Sequence, residues 1–337
     1  MEVHNRDLFP TQDVQTLYKS VKPLVVNPLV DDRFLEHEKA ASDAKKLYHG
    51  RGRVGMLLVL VSALFTIAQA LVIPAFPGLQ FVSTFAIVLG SIGLAIQIHL
   101  LVTKKKQLWL LHRFAAERLR SIKFQAYPLA VPAGSTEDLK LKADVFYSRE
   151  VARLEMELNA QDAALVLFSP ANAVAQATSE TDPADQEIET MARSAYRELR
   201  IAYQRRFATG EIQLLQQQQR IGYTSADVLY LLGAALTVAA LTSKLAFPTA
   251  VTWSNWIDFL AVTAFIVGLF KTIMDNASLA ETSKARYENY VRALEECDAE
   301  LTAESANFPD IVRRIERVVL DELSHFCQSA SQISYRL

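Results

Sequence analysis

The sequence predicts an all-α membrane protein: two tandem two-transmembrane helical hairpins with long cytosolic helical extensions. Two pairs of long apolar segments carry the first half of that prediction. Spans at about 54–73, 81–102, 226–246 and 257–274 each approach the roughly 20 apolar residues that cross a bilayer at the helical rise. The remainder carries the second half. Although 51% of the chain is hydrophobic, those residues are concentrated in the spans, and the rest is strongly polar and helix-forming.

The N-terminal stretch Met1–Ser20 has no apolar core behind basic residues, so no cleaved signal peptide is expected and the first hairpin directs insertion. Span one, Val54–Ile73, contains no charge. Arg51 and Arg53 precede it, Lys104, Lys105 and Lys106 follow span two, and the tip Pro74–Gln80 is uncharged. An excess of basic residues marks the cytoplasmic side, so both ends of this hairpin are expected there.

After Lys106, the apolar positions Leu108, Leu111, Ala115, Leu119 and Ile122 repeat at three or four residues, which predicts a helix with one sticky face and the rest solvated. Such a face packs within one chain or builds a multi-chain stalk; the lack of sustained heptads favours the former. Pro128, Pro132 and Gly134 end this helix, and Ser135, three residues before Asp138, suits the cap of the next. Ser169–Gln186 is rich in Ser, Thr, Ala and Pro and reads as a linker at 169–186 between units 1–168 and 187–337.

The second unit opens with a helix bearing Tyr196, Leu199, Tyr203 and Phe207 on one face, then Gln216–Gln219 as a solvated turn. Lys244, Asp258 and Lys271 lie near the ends of spans three and four, within reach of the headgroups. Arg220 and Lys271 mark the cytoplasmic side, and Trp253 and Trp256 suit an aromatic belt near the tip. Lys244, on the tip side, weakens the charge bias of this hairpin. Beyond Met274, Tyr287, Val291, Leu294 and Leu301 form another stripe. The last helix is expected to open around Pro309 and Asp310, with Ile311, Ile315, Val318, Val319 and Leu323 on its apolar face. Order of parts thus repeats, and Val151-Ala-Arg153-Leu154-Glu155 matches Val312-Arg-Arg314-Ile315-Glu316 locally.

Motifs for chemistry are missing. No glycine-rich phosphate loop, GxSxG elbow, HExxH or paired CxxC is present, so no catalytic residue, metal ligand or cofactor is expected. A net charge of −2 with no basic stripe excludes direct nucleic-acid binding as the main role. Cys297 and Cys327 are expected to be reduced, and His325 beside Glu322 suggests a surface pair. Within the spans, Ser62, Thr66 and Gln69 share a helix face, and Ser83, Gly90, Ser91, Gly93 and Gln97 mark the second span. These residues either let the helices approach closely or line a polar path in an assembly. His99 sits one turn from the cytoplasmic end, as a headgroup anchor or a gate.

The run Trp109-Leu-Leu-His-Arg113-Phe-Ala-Ala-Glu117-Arg-Leu-Arg120, preceded by a polar helix and a short-tipped hairpin, resembles the SLATT domain, a two-transmembrane effector domain of bacterial conflict systems. The late helix is similar to the family's isoleucine-glutamate pair followed by a glutamate and an aromatic: Ile315-Glu316, Glu322 and Phe326. Tryptophan would be the family-like residue at Phe326; two hairpins replace the usual one, and in the first half only Val151–Glu155 echoes the late motif. The basic flanks of the hairpins put the N-terminus, the middle segment and the C-terminus on the cytoplasmic side. With the missing catalytic motifs, the resemblance implies a non-enzymatic effector of the bacterial inner membrane, expected to act as a homo-oligomer, that permeabilises the bilayer in antiphage defence. It also implies that a sensor partner or nucleotide-type signal triggers it. On that basis Trp109, Arg113, Glu117, Arg153, Glu155, Arg314, Glu316 and Glu322 are the candidate cytosolic signature. The residues alone also admit a membrane scaffold that recruits a soluble partner, or, less readily, a small transporter, whose interrupted helices and charged midplane sites are not apparent.

Overall fold

The computed structural model describes residues 5–71, 81–159, 185–246, 251–276, 280–302 and 307–332. The expected tip at Pro74–Gln80, residues 169–184 of the expected linker and the side chain of Trp253 lie outside the described residues. Every regular element described is helical. The chain runs through α1 (Gln12–Leu17), α2 (Lys22–Val25), α3 (Pro28–Leu71), α4 (Phe81–Val102), α5 (Lys105–Gln125) and α6 (Thr136–Asn159). It continues through α7 (Gln186–Tyr196), a π-helical segment (Arg197–Ala202), α8 (Tyr203–Ala246), α9 (Val251–Asn276), α10 (Ala280–Leu301) and α11 (Phe308–Gln332).

Local chemistry explains the helix starts. At α3, Asn27 Oδ1 accepts from the Val30 N–H at 3.2 Å, and Asp31 Oδ2 accepts from the Asn27 N–H at 3.2 Å. Pro28, first in the helix, has no N–H to satisfy. The expected cap at α6 is present: the Asp138 N–H donates to Ser135 Oγ, and the Gly134 N–H donates to Asp138 Oδ2, both at 3.2 Å. Asp185 caps α7 by accepting from the Glu187 N–H at 3.0 Å. The last helix begins at Phe308, directly before Pro309 and Asp310.

Two compact units share these helices. A polar unit comprises Met1–Asp43, Gln107–Leu214 and Thr282–Gln332, and an apolar unit comprises Ala44–Lys106, Leu215–Glu281 and Ile333–Leu337. Both 44-residue helices, α3 and α8, contribute to each unit without a break in the helix.

In the polar unit, one hydrophobic core draws on both halves of the chain. Tyr127, Tyr196, Phe124 and Phe308 are fully buried, with Tyr196 edge-on to each of the other three rings at 5.5–5.9 Å. Edge-to-face pairs of this kind add to the stabilisation from area burial alone. Around them pack Leu24, Val25 and Phe34 from the N-terminal segment and Val312 and Ile315 from α11.

Helix α5 departs from the one-sided stripe expected for it. Every residue from Phe114 to Gln125 is buried, whereas Leu108 is 40% exposed. The reason is that its charged side chains find counter-charges inside the unit, so burial does not require an apolar sequence.

Among the described residues, four stretches are long and apolar enough to cross a membrane, and they lie in the apolar unit. Its surface carries Ile87, Leu101, Leu231 and Val238, each more than 60% exposed. That outward apolar surface marks membrane association, because water does not tolerate such patches on a free protein. Inside the unit, small residues set the spacing of α3 and α4. A Cβ on Gly93 would lie 2.8 Å from the Gly55 carbonyl oxygen, and one on Gly90 would lie 2.7 Å from Ser62 Oγ. Phe265 and Tyr230 fill the corresponding space between α8 and α9, against Gly233 and Gly268.

Candidate functional site

Charged and polar side chains in the core of the polar unit form the densest chemical feature among the described residues. It begins on α5, where Arg113, Glu117 and Arg120 follow one another at helical spacing. Glu117 forms an ion pair with Arg113 at 2.6 Å and accepts from Arg120 at 2.9 Å. Arg113 also donates to Glu38 of α3 at 2.9 Å. Arg120 reaches the N-terminal segment, donating to Asn5 Oδ1 at 2.5 Å and lying 3.2 Å from Asp7. One turn further, Lys123 donates to the Leu8 carbonyl at 2.7 Å and to Asp31 at 2.6 Å.

A second network surrounds Glu316 of α11. Arg200, in the π-helical segment, binds it through two hydrogen bonds of 2.8 and 2.7 Å. Ser121 donates to the same carboxylate at 2.7 Å and Tyr196 at 3.0 Å. Neither Arg200 nor Glu316 has any exposed side-chain area. The Arg200 guanidinium also lies 4.7 Å from the centre of the Phe124 ring, a cation–π distance.

Burial and pairing oppose each other here, and the winner differs by residue. Burial alone would raise Glu117, but Arg113, Arg120 and Arg200 prevail and hold its carboxyl below the usual range. Burial disfavours charge on Arg200, and Glu316 more than offsets it, so the guanidinium stays more firmly protonated than a free arginine. At Asp7 burial wins over Arg120, and its carboxyl is pushed up; neither of its oxygens has a well-aligned hydrogen bond. Lys123 and Asp31 are both shifted toward their neutral forms by burial despite their contact.

Sequence-predicted residues divide between this lattice and the surface. Trp109, Arg113 and Glu117 come together with Glu322 and Phe326: the Trp109 and Phe326 rings meet edge-on at 6.2 Å, and Glu322 adds to the field holding Arg113 charged. Glu316 is central. By contrast, Arg153 pairs with the buried Glu150 at 2.6 Å, Glu155 with Arg33 at 3.1 Å, and Arg314 with Glu300, and Arg153, Glu155 and Arg314 are themselves partly exposed. The local echo between Val151–Glu155 and Val312–Glu316 therefore extends to apolar positions, while Glu155 and Glu316 occupy opposite environments.

Glu322 is engaged by Arg286 of α10 at 3.1 Å, in place of the expected pair with exposed His325. Burial pushes its carboxyl up. Cys297 and Cys327 are free thiols, both buried. No family model, curated protein or solved structure matches the chain.

The polar residues of the spans take several positions. Ser62 donates to the Ala86 carbonyl at 2.7 Å and Gln97 to the Gly52 carbonyl at 3.2 Å, so both join α3 to α4. His99 Nε2 lies 3.2 Å from an Arg51 guanidinium nitrogen, across the same pair. Ser83 is half-buried, and Thr66, Gln69 and Ser91 are exposed on the apolar unit. Thr66 bonds back to the Ser62 carbonyl at 2.9 Å, which satisfies its hydroxyl within the helix.

Asn5, Asp7, Asp31, Lys123 and Arg200 escaped the sequence reading. Nothing local flags them, because each acquires its role from a partner at least 92 positions away. Most polar groups of the lattice pair with one another, whereas both Asp7 oxygens, Arg120 Nε and Arg200 Nη1 are buried without a hydrogen bond, and Arg113 and Glu38 are partly exposed. The lattice ties together the N-terminal segment, α3, α5, the π-helical segment and α11.

Proposed function

We propose that this protein is a non-enzymatic effector of the bacterial inner membrane in antiphage defence, a homo-oligomer that permeabilises the bilayer when its polar unit responds to a trigger. In this reading two hairpins cross the membrane, tips outward, with the polar unit and both termini in the cytoplasm. The trigger is a sensor protein or a nucleotide-type signal, and the charged lattice holds the resting arrangement until the trigger favours another. One observation carries the reading: α3 and α8 run as uninterrupted helices from the polar unit into apolar spans. A rearrangement around Glu38 or Arg200 then acts on helices that are continuous in sequence with the spans. Exposed Thr66, Gln69 and Ser91 add support, since polar side chains on a lipid-facing surface are better accommodated beside another copy or a water-filled path.

The test compares Thr66→Leu, Gln69→Leu and Ser91→Leu with the unaltered protein in bacterial cells carrying a membrane-potential dye, together with the gene products that trigger it. Depolarisation by the unaltered protein, reduced in the variants at equal membrane insertion, is the expected result. Failure of the unaltered protein to depolarise cells or release dye from liposomes in the presence of its trigger would overturn the reading. Ser62 is unsuitable for this purpose because leucine there would collide with Gly90.

A scaffold is the second reading, favoured by Leu141, Val145 and Met156 of α6, each more than 60% exposed on the polar unit. It predicts stable co-purification of a soluble partner, lost on Val145→Glu, and no conductance.

A further inference from the structure

The stretch 44–106 of the apolar unit contains seven Lys and Arg residues and no Asp or Glu. Its counterpart 215–281 contains three basic residues and four acidic ones. All seven cations lie at one end of the α3–α4 pair: Lys45, Lys46, Arg51 and Arg53 on α3, Lys104 just after α4, and Lys105 and Lys106 opening α5. We propose that this basic collar is a binding surface for the phosphodiester headgroups of anionic phospholipids.

Side-chain contacts place these cations without neutralising them. A guanidinium nitrogen of Arg51 lies 3.2 Å from His99 Nε2 on α4, which anchors the arginine across the pair and brings it no negative charge. Arg51 and Arg53 are both exposed, on either side of buried Gly52, whose carbonyl accepts from Gln97 at 3.2 Å. Lys45, His49 and Arg53 follow one another at four-residue spacing along α3, one above the next. Burial pushes the His49 imidazole down to about 4, and Lys45 and Arg53 add to that shift, so a positive field surrounds the ring. Lys104 occupies the turn from α4 to α5 with a φ of 50°, the left-handed region that glycine enters at no cost. A lysine there adds charge to the collar against the preference of the backbone.

Apolar neighbours select a lipid over a free phosphate. Leu47 and Val54 on α3 and Ile98, Leu101 and Val102 on α4 are exposed among the cations. A phospholipid offers phosphate oxygens to the guanidinium and ammonium groups and acyl chains to those side chains; a soluble anion offers only the former. Such attachment is compatible with an effector and with a scaffold alike.

The experiment titrates the full chain, in micelles of a neutral detergent, with phosphatidylglycerol or with phosphatidylcholine of matched acyl chains, and counts bound lipid by native mass spectrometry. Phosphatidylglycerol is expected to bind at least about tenfold more tightly, at several charges per headgroup contact. Arg51→Gln combined with Arg53→Gln should weaken it about twentyfold, at roughly fivefold per charge, and Lys104→Gly about fivefold. Arg220→Gln with Lys271→Gln, in the second stretch, should leave it unchanged. Circular dichroism checks the fold of each variant; Arg51→Lys with Arg53→Lys, which keeps both charges, should retain binding, and Lys104→Gly relieves the turn and so does not threaten folding. Glycerophosphoglycerol, the headgroup without its chains, should fail to displace the lipid at equal concentration. Equal binding of the two lipids, undiminished binding of phosphatidylglycerol by the folded double glutamine variant, or displacement by glycerophosphoglycerol would overturn the proposal.

Discussion

At the residue scale, the buried carboxylates separate into those that stabilise the ionised lattice and those that strain it. Glu117→Gln should lower stability by about 3 kcal/mol, because Arg113 and Arg120 lose their shared counter-charge in a buried setting. Glu316→Gln should cost about 3–5 kcal/mol for the same reason at a fully closed site. Thermal unfolding in detergent measures both. The pH dependence has opposite signs at Glu117 and Asp7. The Glu117 contribution is present above its ordinary value of 4.5 and is lost as pH falls through its depressed folded value. Asp7, raised above 3.8, favours the folded protein below that value, and this advantage is lost as pH rises through the folded value. Asp7→Asn should therefore raise the unfolding temperature at about pH 8, with the gain shrinking toward about pH 4. A stability loss at pH 8 would show that Arg120 needs the Asp7 charge more than burial opposes it. Arg113 and Glu117 were legible in the sequence through their motif. Asp7 and Arg200 were not, since an isolated charge in a polar segment reads as solvated until its distant partner is known.

At the element scale, glycine positions distinguish close packing from mere helical tolerance. Gly93→Ala places a methyl against the Gly55 carbonyl oxygen and within 2.9 Å of a Val59 methyl, so α3 and α4 must separate. A loss of about 1–3 kcal/mol is expected from such overpacking, read as a lower unfolding temperature. Gly210→Ala, in α8 with open space around it, should be neutral or stabilise by up to about 1 kcal/mol through helix propensity alone. Small residues on the second span were visible in the sequence as packing candidates, and Gly90 and Gly93 meet that expectation. Burial of the Phe114–Gln125 stretch of α5 on all sides was hidden for a physical reason. A helix rich in charge has no apolar period to reveal its inward faces when counter-charges, rather than methyl groups, surround it.

At the scale of the whole molecule, the four apolar segments were legible from length and composition, but the shared core of the polar unit was not. Sequence order suggests two units at 1–168 and 187–337, while the contacts of Ser121 and Tyr18 with Glu316 and Glu198 join those two stretches. Expressed alone, residues 1–168 should fail to give a stable fold, because Glu117 and Arg120 would lack the covering helices that exclude water from them. Co-expressed with 187–337, the two pieces should co-purify and regain helical unfolding cooperativity, followed by circular dichroism. Independent folding of either piece would show that the lattice is dispensable.

The distance along the chain between Glu117 and Glu316 also sets a timetable for synthesis. At roughly 5–20 residues per second, the ribosome needs about ten to forty seconds after making Glu117 to deliver Glu316. The first two spans have left the ribosome well before then, while Ser121 still awaits the carboxylate it will bind. A nascent chain thus holds membrane-ready helices whose polar core is unfinished, and completion of α11 ends that interval.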